Sequence, residues 1–458
     1  MKIIICGAGE VGFSLAKYLA SEDMQVTVID ESSDRLQKVA ASIDVRSIIG
    51  KSYNPNILLE AGAENADLLI SVSENDESNI ISCEIAKVLF NLPNTIARIR
   101  EKDLLESKWL DLFSAKGLKV DNVISPENEV ANMLARLVAV SGAHDLISFA
   151  DDKIRLIGLK LDDDCPVLET PLKQLTELFP DLNTKIVLMN RDEKVFIPDN
   201  MEQLQANDDI YMIADSNNTK RILSVFGKKL IDSRKIIIIG AGIIAINIAK
   251  ILEINEPDAS VTIIESNKNQ AEKAAMKLEK ANVLLGDAVE NDIMNEAGIS
   301  EADIVFSVTN SDEINTLVSI LSKKAGAKNC YALLNGDKYQ PVIPYLDIDG
   351  IISPRELTVS RVLKHIRKAI VSDVHEIRNG SAEIIEFEVK NGSTLIGIEL
   401  RNSKLPEDTF IGAIVRDNIV ISPKGNTIIE LGDKIVMCLL HDAIQRVEDF
   451  LSEDSQLI

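Results

Sequence analysis

The hydrophobic positions in the first part of the chain form short apolar runs that alternate with longer segments of helical periodicity. The runs are rich in β-branched residues, which favour strands: Ile3–Cys6, Val26–Ile29, Val45–Ile49, Leu68–Val72, Ile96–Ile99 and Val123–Ile124. Strands that are apolar on both faces and separated by helical stretches are typical of a parallel sheet covered by helices. The pattern therefore predicts an α/β domain with a six-stranded parallel sheet.

The same series returns in the second half of the chain, in the same order. Its predicted strands are Ile236–Ile239, Val261–Ile264, Val283–Leu285, Ile304–Val308, Tyr331–Leu334 and Ile351–Ile352. Around them, Lys2–Gly12 recurs as Lys235–Ala245, and Ile124–Glu127 recurs as Ile352–Arg355. Colinear matches of this kind identify two copies of one unit of about 230 residues.

A Ser-Pro pair follows each sixth strand and predicts the start of a helix. Serine caps free backbone N–H groups, and proline suits the first helical position. Behind each pair, apolar residues recur at helical spacing: Val130, Met133, Leu134, Leu137 and Val138 in the first copy, and Val359, Val362, Leu363 and Ile366 in the second. Such a stripe is either core or a partner surface, and we expect the two sheet domains to pair there.

After each of these helices, the periodicity changes to short alternating strands. The second copy predicts a helix-like segment from Leu395 and strands at Ile411–Arg416, Ile419–Pro423 and Leu431–Val436. The first copy has Ile186–Leu188, Val195–Pro198 and Asn207–Tyr211 at the corresponding places. Each copy therefore ends in a small α+β module.

The predicted fold class is α/β, with two Rossmann-like parallel-sheet domains, each followed by a linker helix and a small α+β module. The boundaries follow the changes in periodicity: 1–124, 125–144 and 145–228 for the first copy, and 233–352, 353–371 and 372–456 for the second.

Composition narrows the function. The chain has 49 lysines and arginines against 72 aspartates and glutamates, so its formal net charge is −23. A chain this acidic is a poor partner for nucleic acid. No apolar run approaches the length of about 18 residues that a membrane span needs, and the first residues lack the pattern of a signal peptide, so we expect a cytosolic protein. The five cysteines and four histidines are scattered and predict neither a metal site nor a catalytic site.

A glycine pattern directly after the first strand predicts nucleotide binding. Gly7 permits a tight turn, Gly9 lets a pyrophosphate approach the backbone, and Gly12 lets the following helix pack on the strand. The phosphates would meet the helix N-terminus. Asp30, at the end of the second strand, is placed to accept hydrogen bonds from adenosine ribose hydroxyls. Because an acid repels a 2′-phosphate, NAD(H) is preferred to NADP(H).

The second copy has a related but unequal pattern. It reads Gly240-x-Gly242-x-x-Ala245, and Glu265 takes the place of the aspartate. Two differences predict unequal sites: Arg98 aligns with Leu333, and Lys51 aligns with Asp287. Two interpretations of Arg98 stay open: a phosphate or nicotinamide contact, or a solvent-facing charge at a strand end.

The order of these motifs resembles one family. The stretches GAGEVG, SVSENDESN and ISPE, and the tail IGAIVRDN with its later Pro and Gly-Asp, occur in a tandem arrangement. This arrangement resembles the RCK (KTN) domains that regulate potassium transport, and the resemblance covers essentially the whole chain. The first small module departs from the tail, with Asn207-Asp208-Asp209 where the second has Leu431-Gly432-Asp433.

The resemblance implies a cytosolic regulatory subunit for potassium uptake. Members of the family bind NAD(H) or ATP/ADP and assemble as rings on a potassium-translocating membrane subunit. For this chain it implies a homo-oligomer, expected to be a tetramer, that is cytoplasmic and peripheral on the cytosolic face of the inner membrane.

The resemblance also implies a set of nucleotide contacts, carried over by position. In the first copy they are Gly7, Ala8, Gly9, Glu10, Val11, Asp30, Gly50, Lys51, Ser73, Glu74, Asn79 and Arg98. In the second copy they are Gly240, Ala241, Gly242, Ile243, Ile244, Glu265, Gly286, Asp287, Thr309 and Asn310.

The alternative function is an NAD-dependent oxidoreductase. A dehydrogenase needs a proton donor or acceptor beside the nicotinamide and a catalytic domain that closes over the substrate. The modules that follow the sheets are small, and their histidines fit no catalytic arrangement. Two nucleotide sites in one chain suit a regulator better, so we predict a protein without enzymatic activity.

Overall fold

The first half of the chain folds into a six-stranded parallel sheet. The computed structural model describes residues 1–22, 24–105, 109, 112–113, 117–140, 142–179, 182–228, 234–336, 346–366, 371–378 and 380–455. The strands lie in the order β3-β2-β1-β4-β5-β6 and are β1 Lys2–Cys6, β2 Gln25–Asp30, β3 Arg46–Ile49, β4 Leu68–Ser71, β5 Asn94–Arg98 and β6 Asn122–Ile124. The helices between them are α1 Glu10–Ser21, α2 Ser33–Ser42, α3 Pro55–Glu60 and α4 Asp76–Phe90. All six strand predictions are confirmed.

The linker helix α5 Pro126–Ala139 leads to an antiparallel sheet. Its strands, in the order β10-β9-β11-β8-β7, are β7 Ala143–Phe149, β8 Ile154–Lys160, β9 Thr184–Arg191, β10 Lys194–Phe196 and β11 Asp209–Asp215. Two short helices accompany it, α6 Leu172–Leu178 and α7 Thr219–Val225.

The second half repeats both sheets. The parallel sheet has the order β14-β13-β12-β15-β16-β17, with β12 Lys235–Ile239, β13 Ser260–Glu265, β14 Asn282–Leu285, β15 Ile304–Ser307, β16 Asn329–Leu333 and β17 Gly350–Ile352. Its helices are α8 Ile243–Asn255, α9 Lys268–Lys277, α10 Asn291–Ala297 and α11 Asp312–Ala325, and the linker helix is α12 Pro354–Ile366. The antiparallel sheet has the order β18-β19-β22-β20-β21, with β18 Asp373–Ile377, β19 Ala382–Glu388, β20 Thr409–Arg416, β21 Ile419–Ile421 and β22 Lys434–Leu440, and α13 Ile444–Ser455 follows. The fold class is therefore two Rossmann-like parallel-sheet domains with antiparallel α+β modules.

The segment after Leu395 is not a helix, so that prediction is wrong. Two isolated bridges, Ile396 with Ile429 and Glu399 with Ile428, hold this segment in an extended loop. The loop ends in a single 3-10 turn at Leu400–Asn402. Three N–H groups of the segment donate to carbonyls between Gly425 and Ile429, so they are not available for helical hydrogen bonds.

The two small modules share an arginine–aspartate contact, and in the first module it lies one residue away from the predicted register. Arg191 donates two hydrogen bonds to Asp208, just as Arg416 donates two to Asp433. The backbone before each aspartate is left-handed: φ is +69° at Asn207 and +84° at Gly432. Asparagine tolerates this conformation better than most residues. Asp208, and not Asp209, therefore corresponds to Asp433, so the predicted register is off by one residue. The first module still departs from the tail, because Asn207 takes the place of Gly432.

The chain divides into two compact units that do not follow the two copies. One unit comprises residues 1–129 and 354–365, and the other comprises residues 130–353 and 366–458. In the second unit, one core contains buried side chains of both antiparallel sheets, among them Val187, Ile213, Ala413 and Val436. Helix α12 thus joins the unit of the first parallel sheet. The domain boundaries drawn along the sequence stay a prediction.

The apolar stripes of the linker helices are core. Val130, Leu134, Leu137 and Val138 of α5 are fully buried. In α12, Val359 is buried, and Val362 and Leu363 are fully buried. Met133 and Ile366, the other members of the stripes, are half-buried. Most of each stripe therefore packs inside the chain, and the pairing of the two sheet domains there stays a prediction.

Candidate functional site

Two glycines of the first loop are required by the fold itself. Gly7 ends β1 with φ +107°, and a Cβ atom there would lie 2.9 Å from the backbone nitrogen of Ser73. A Cβ atom on Gly12 would lie 1.9 Å from the carbonyl oxygen of Gly7, because α1 packs directly on the turn. Only glycine fits either position.

Gly9 is glycine for a different reason. It is the N-cap of α1 with extended backbone (φ −70°), and a Cβ atom there would meet nothing within 4 Å. The first N–H groups of a helix have no partner within the helix itself. In α1 no side chain caps them either. Free N–H groups beside open space form the cradle that a phosphate group fits.

The second cleft repeats this geometry. Gly240 has φ +95°, and a Cβ atom there would lie 3.0 Å from Cγ2 of Thr309. Gly242 is the N-cap of α8 without a side-chain cap, and a Cβ atom there would again meet nothing within 4 Å. Ala245 is fully buried where the first copy has Gly12. The alanine is therefore accommodated by the packing of α8.

The predicted ribose-binding acids also hold the glycine loops in place. The two Asp30 oxygens accept from the N–H groups of Ala8 (2.6 Å) and Ser32 (2.8 Å). Glu265 accepts in the same way from Ala241 and Asn267, both at 2.7 Å. A carboxylate has about four lone-pair positions, so each acid keeps acceptor capacity for a ribose hydroxyl. The sequence predicted only the ribose contact.

The loops after the third strands lie at the same edge but differ in charge. The N–H of Gly50 donates to the carbonyl of Asp30, and the N–H of Gly286 donates to the carbonyl of Glu265, both at 2.9 Å. Lys51 is exposed, and its ammonium lies 5.7 Å from the centre of the Tyr53 ring.

In the second copy, the corresponding aspartate closes its own turn. An oxygen of Asp287 accepts from the N–H of Val289 at 3.0 Å. A phosphate near this loop would therefore meet a cation in the first copy and an anion in the second.

Asn79 does not face the cleft, which corrects its assignment as a nucleotide contact. It is fully buried. Its Oδ1 accepts from the N–H and hydroxyl of Ser73 and from the hydroxyl of Ser71, and its Nδ2 donates to the carbonyls of Ser73 and Arg98. Both hydrogens and the oxygen of its side-chain amide are engaged in hydrogen bonds within the protein. The side chain therefore positions the ends of β4 and β5.

Asn315 does the same in the second copy, and sequence analysis missed it. Its Oδ1 accepts from the N–H (2.8 Å) and hydroxyl (2.7 Å) of Thr309, and its Nδ2 donates to the carbonyls of Thr309 and Leu333. The sequence could have indicated this role of Asn315, because the Asp-Glu-x-Asn pattern of the first copy returns as Asp312-Glu313-Ile314-Asn315.

The remaining predicted contacts divide into buried and exposed groups. The side chains of Ala8, Val11 and Ala241 are buried, so only their backbone groups are available to a ligand. The exposed ones are Glu10, Glu74, Ile243 and Asn310, with Ile244 half-buried. Glu74 accepts from Arg35 at 3.1 Å, which places an ion pair at the rim of the first cleft.

Arg98 is not a solvent-facing charge, so that interpretation is wrong, and its role as a phosphate or nicotinamide contact stays a prediction. Its side chain is 13% exposed and bonds Glu127 on α5 at 2.5 Å. Arg100 lies 3.2 Å from the same Glu127 oxygen. Burial forces such charges to pair. Sequence analysis missed Glu127. In the alignment of the two copies, Arg355 takes the place of Glu127 and Leu333 takes the place of Arg98.

The predicted contacts therefore gather at the carboxyl ends of neighbouring parallel strands. The sheet order changes direction between β1 and β4, and again between β12 and β15. Ligands of open α/β sheets bind at such a switch point. Within the described residues, no group of three or more His, Cys, Asp and Glu side chains is arranged to hold a metal ion. None of the described helices combines the length and hydropathy needed to cross a bilayer.

Family models match both halves of the chain. The TrkA-N domain model matches residues 3–126 and again residues 236–354. The TrkA-C domain model matches residues 384–452, the second antiparallel module.

Curated relatives align over nearly the full length. The chain is 40% identical to the Trk system potassium uptake protein TrkA of Azorhizobium caulinodans over 448 residues, which is 98% of each chain. It is 36% identical to the protein of the same name from Vibrio alginolyticus, over 96% of each chain.

Solved structures share the fold at low sequence identity. A structure titled as the GsuK channel bound to NAD aligns with a TM-score of 0.63 and 14% identity, over 99% of this chain and 79% of the other. The GsuK RCK domain aligns with a TM-score of 0.63 and 16% identity, over 99% and 95%.

Proposed function

Because the chain belongs to the TrkA family of Trk system potassium uptake proteins, we propose that it is a nucleotide-binding regulatory subunit that gates a Trk-type potassium-translocating membrane protein. The observation that carries the nucleotide part is the geometry at Gly9 and Gly242. At both positions an uncapped helix N-terminus faces open space. That is the room a pyrophosphate needs.

NAD(H) is the proposed ligand, with ATP or ADP as the alternative. Both kinds of molecule present phosphates to the glycine loop and a ribose to the acid at the end of the second strand. Asp30 and Glu265 would hold the ribose and disfavour a 2′-phosphate. One solved relative in fold is titled as bound to NAD and another as bound to ADP, which supports the class of ligand.

The proposed role of the nucleotide is to shift a conformational equilibrium. A ligand changes the state of an assembly only if it binds one state more tightly than the other. Arg98 and Glu127 tie the end of β5, beside the first cleft, to the linker helix α5. We expect occupancy of the cleft to act on this helix. The duplicated cleft is the reason to prefer a regulator to an oxidoreductase.

The proposed setting is the cytosolic face of the inner membrane. A net charge of −23 is repelled by anionic lipid, so a membrane protein partner, and not the lipid, would recruit the chain. The proposed assembly is a homo-oligomeric ring, expected to be a tetramer.

Replacing Gly9 or Gly242 with valine tests nucleotide binding. The new side chain fills the phosphate space without strain in the backbone, so each variant should lose binding at its own cleft. The unfolding free energy should fall by at most about 1 kcal/mol, the range for a poorer N-cap. Isothermal titration calorimetry with NADH and with ATP measures the stoichiometry.

Each variant is the matched control for the other, because it leaves the second cleft intact. We expect each to halve the number of sites and the double variant to bind nothing. Unchanged stoichiometry in Gly9→Val would show that the first glycine loop does not bind the nucleotide.

A further inference from the structure

A pocket in the second unit is lined by groups that no nucleotide cleft uses. It lies between helix α6 and the two antiparallel sheets and has a volume of about 170 Å³. Large apolar side chains line one part of it: Leu172, Leu175 and Phe179 of the α6 region, Phe226 after α7, and Phe410 of β20. The uncharged polar lining residues are Thr176, Asn183, Thr184, Asn200 and Ser422. An engineered cavity of about 150 Å³ is large enough for benzene, so this pocket suits a small organic ligand.

Two lysines line the same pocket. Lys185 is half-buried on β9, and Lys424 is exposed just after β21. Burial and the charge of Lys424 both lower the pKa of Lys185. In the described part of the chain, neither ammonium has a hydrogen bond or an ion pair within reach.

Asp199 lies between two lining residues of the pocket, Pro198 and Asn200, and its carboxylate is already engaged. Asp199 accepts from the N–H groups of Met201 (2.7 Å) and Glu202 (3.0 Å) and so closes its own turn. Two lysines at one pocket, with no counter-ion among the residues that the structure describes, are unusual in a chain with an excess of 23 negative charges. A partly buried lysine without a partner costs stability, and costs of this kind are concentrated at functional sites.

We propose that this pocket binds a small organic carboxylate. Its apolar body would lie against the leucine and phenylalanine side chains, and its carboxylate would lie between Lys185 and Lys424. Together the walls and the two lysines match an amphiphilic monoanion, whereas inorganic phosphate leaves the walls unfilled and a neutral ring leaves the cations unpaired. The site is separate from the glycine loops, so the proposal stands independently of nucleotide binding.

Titration of the full-length protein with benzoate tests the proposal. We expect one benzoate per chain, and affinities at least tenfold weaker for benzyl alcohol and for inorganic phosphate. A charge-assisted hydrogen bond contributes about tenfold to a hundredfold in affinity. Lys185→Gln and Lys424→Gln should each weaken benzoate binding by at least about tenfold.

Lys220→Gln is the charge-matched control, because Lys220 is exposed on α7 and does not line the pocket. Thr176→Trp is a second probe: Thr176 is exposed on α6 at the pocket, so the indole should block access without a change in the core. We expect normal benzoate affinity in Lys220→Gln, none in Thr176→Trp, and unchanged NADH stoichiometry in both.

Any of three results would overturn the proposal. The first is the absence of benzoate binding to the unaltered protein at millimolar concentration. The second is equal affinity for benzoate and benzyl alcohol, and the third is equal benzoate affinity in Lys185→Gln and Lys220→Gln. Either of the last two would show that the lysines recognise no anion.

Discussion

The three glycines of the first loop have separate physical reasons for being glycine. Gly7 and Gly12 are fixed by backbone contacts that leave no room for a side chain, whereas Gly9 faces open space. The spacing in the sequence predicts all three positions. It could not show which of them a ligand needs, because that depends on how closely α1 packs against the turn.

Asp30→Ala should change both ligand affinity and folding stability. The carboxylate accepts from Ala8 and Ser32, so its loss frees the glycine loop as well as a ribose contact. We expect NADH binding to weaken by roughly 1.5–3 kcal/mol, the range for hydrogen bonds to charged groups, with a lower unfolding midpoint. Calorimetry and thermal denaturation measure the two effects.

The unaltered protein provides the selectivity control for the same prediction. NADH should bind more tightly than NADPH, because Asp30 repels a 2′-phosphate. Equal affinity for the two dinucleotides would contradict the role assigned to Asp30.

Sequence reasoning failed at residues whose partners come from distant elements. Glu127 is separated from Arg98 by 29 positions, and only the placement of α5 beside β5 pairs them. Asn79 was taken for a ligand contact, although folding buries it under the cleft. Hydrogen-bond networks of this kind follow from tertiary packing, which a motif does not encode.

Most elements could be predicted because their patterns are local. The β-branched runs give all the strands of the two parallel sheets, and the Ser-Pro pairs give the starts of α5 and α12. The segment after Leu395 was predicted wrongly because its backbone bonds a loop some 30 residues away, at Ile428 and Ile429. The burial of the linker stripes was open because it depends on which unit each helix joins.

Leu363→Ala tests the conclusion that the α12 stripe is core. Leu363 is fully buried, so its truncation should lower the unfolding free energy by about 2–5 kcal/mol. Met133→Ala on α5 is the control. Because Met133 is only half-buried, its truncation should lower the unfolding free energy by less than that of Leu363. Urea denaturation followed by circular dichroism measures both. An unchanged midpoint for Leu363→Ala would contradict the core assignment.

At the scale of the whole molecule, the proposed regulatory use of the clefts rests on their duplication. The two clefts share the glycine loop and the acid, but they differ at Lys51 and Asp287 and at Arg98 and Leu333. Unequal sites can respond to different nucleotides or to one nucleotide at different concentrations. The resemblance in sequence identified the family, whereas the proposed coupling of nucleotide to transport would be a property of the chain together with its proposed partner.

Potassium flux measures that coupling directly. The Trk-type membrane subunit of the same organism would be reconstituted in vesicles with this protein, and flux would be recorded with and without NADH, and with and without ATP. We predict that at least one nucleotide changes the flux with the unaltered protein and that none does with the Gly9→Val, Gly242→Val double variant. Flux that is independent of nucleotide with the unaltered protein, or equally nucleotide-dependent with the double variant, would contradict the account.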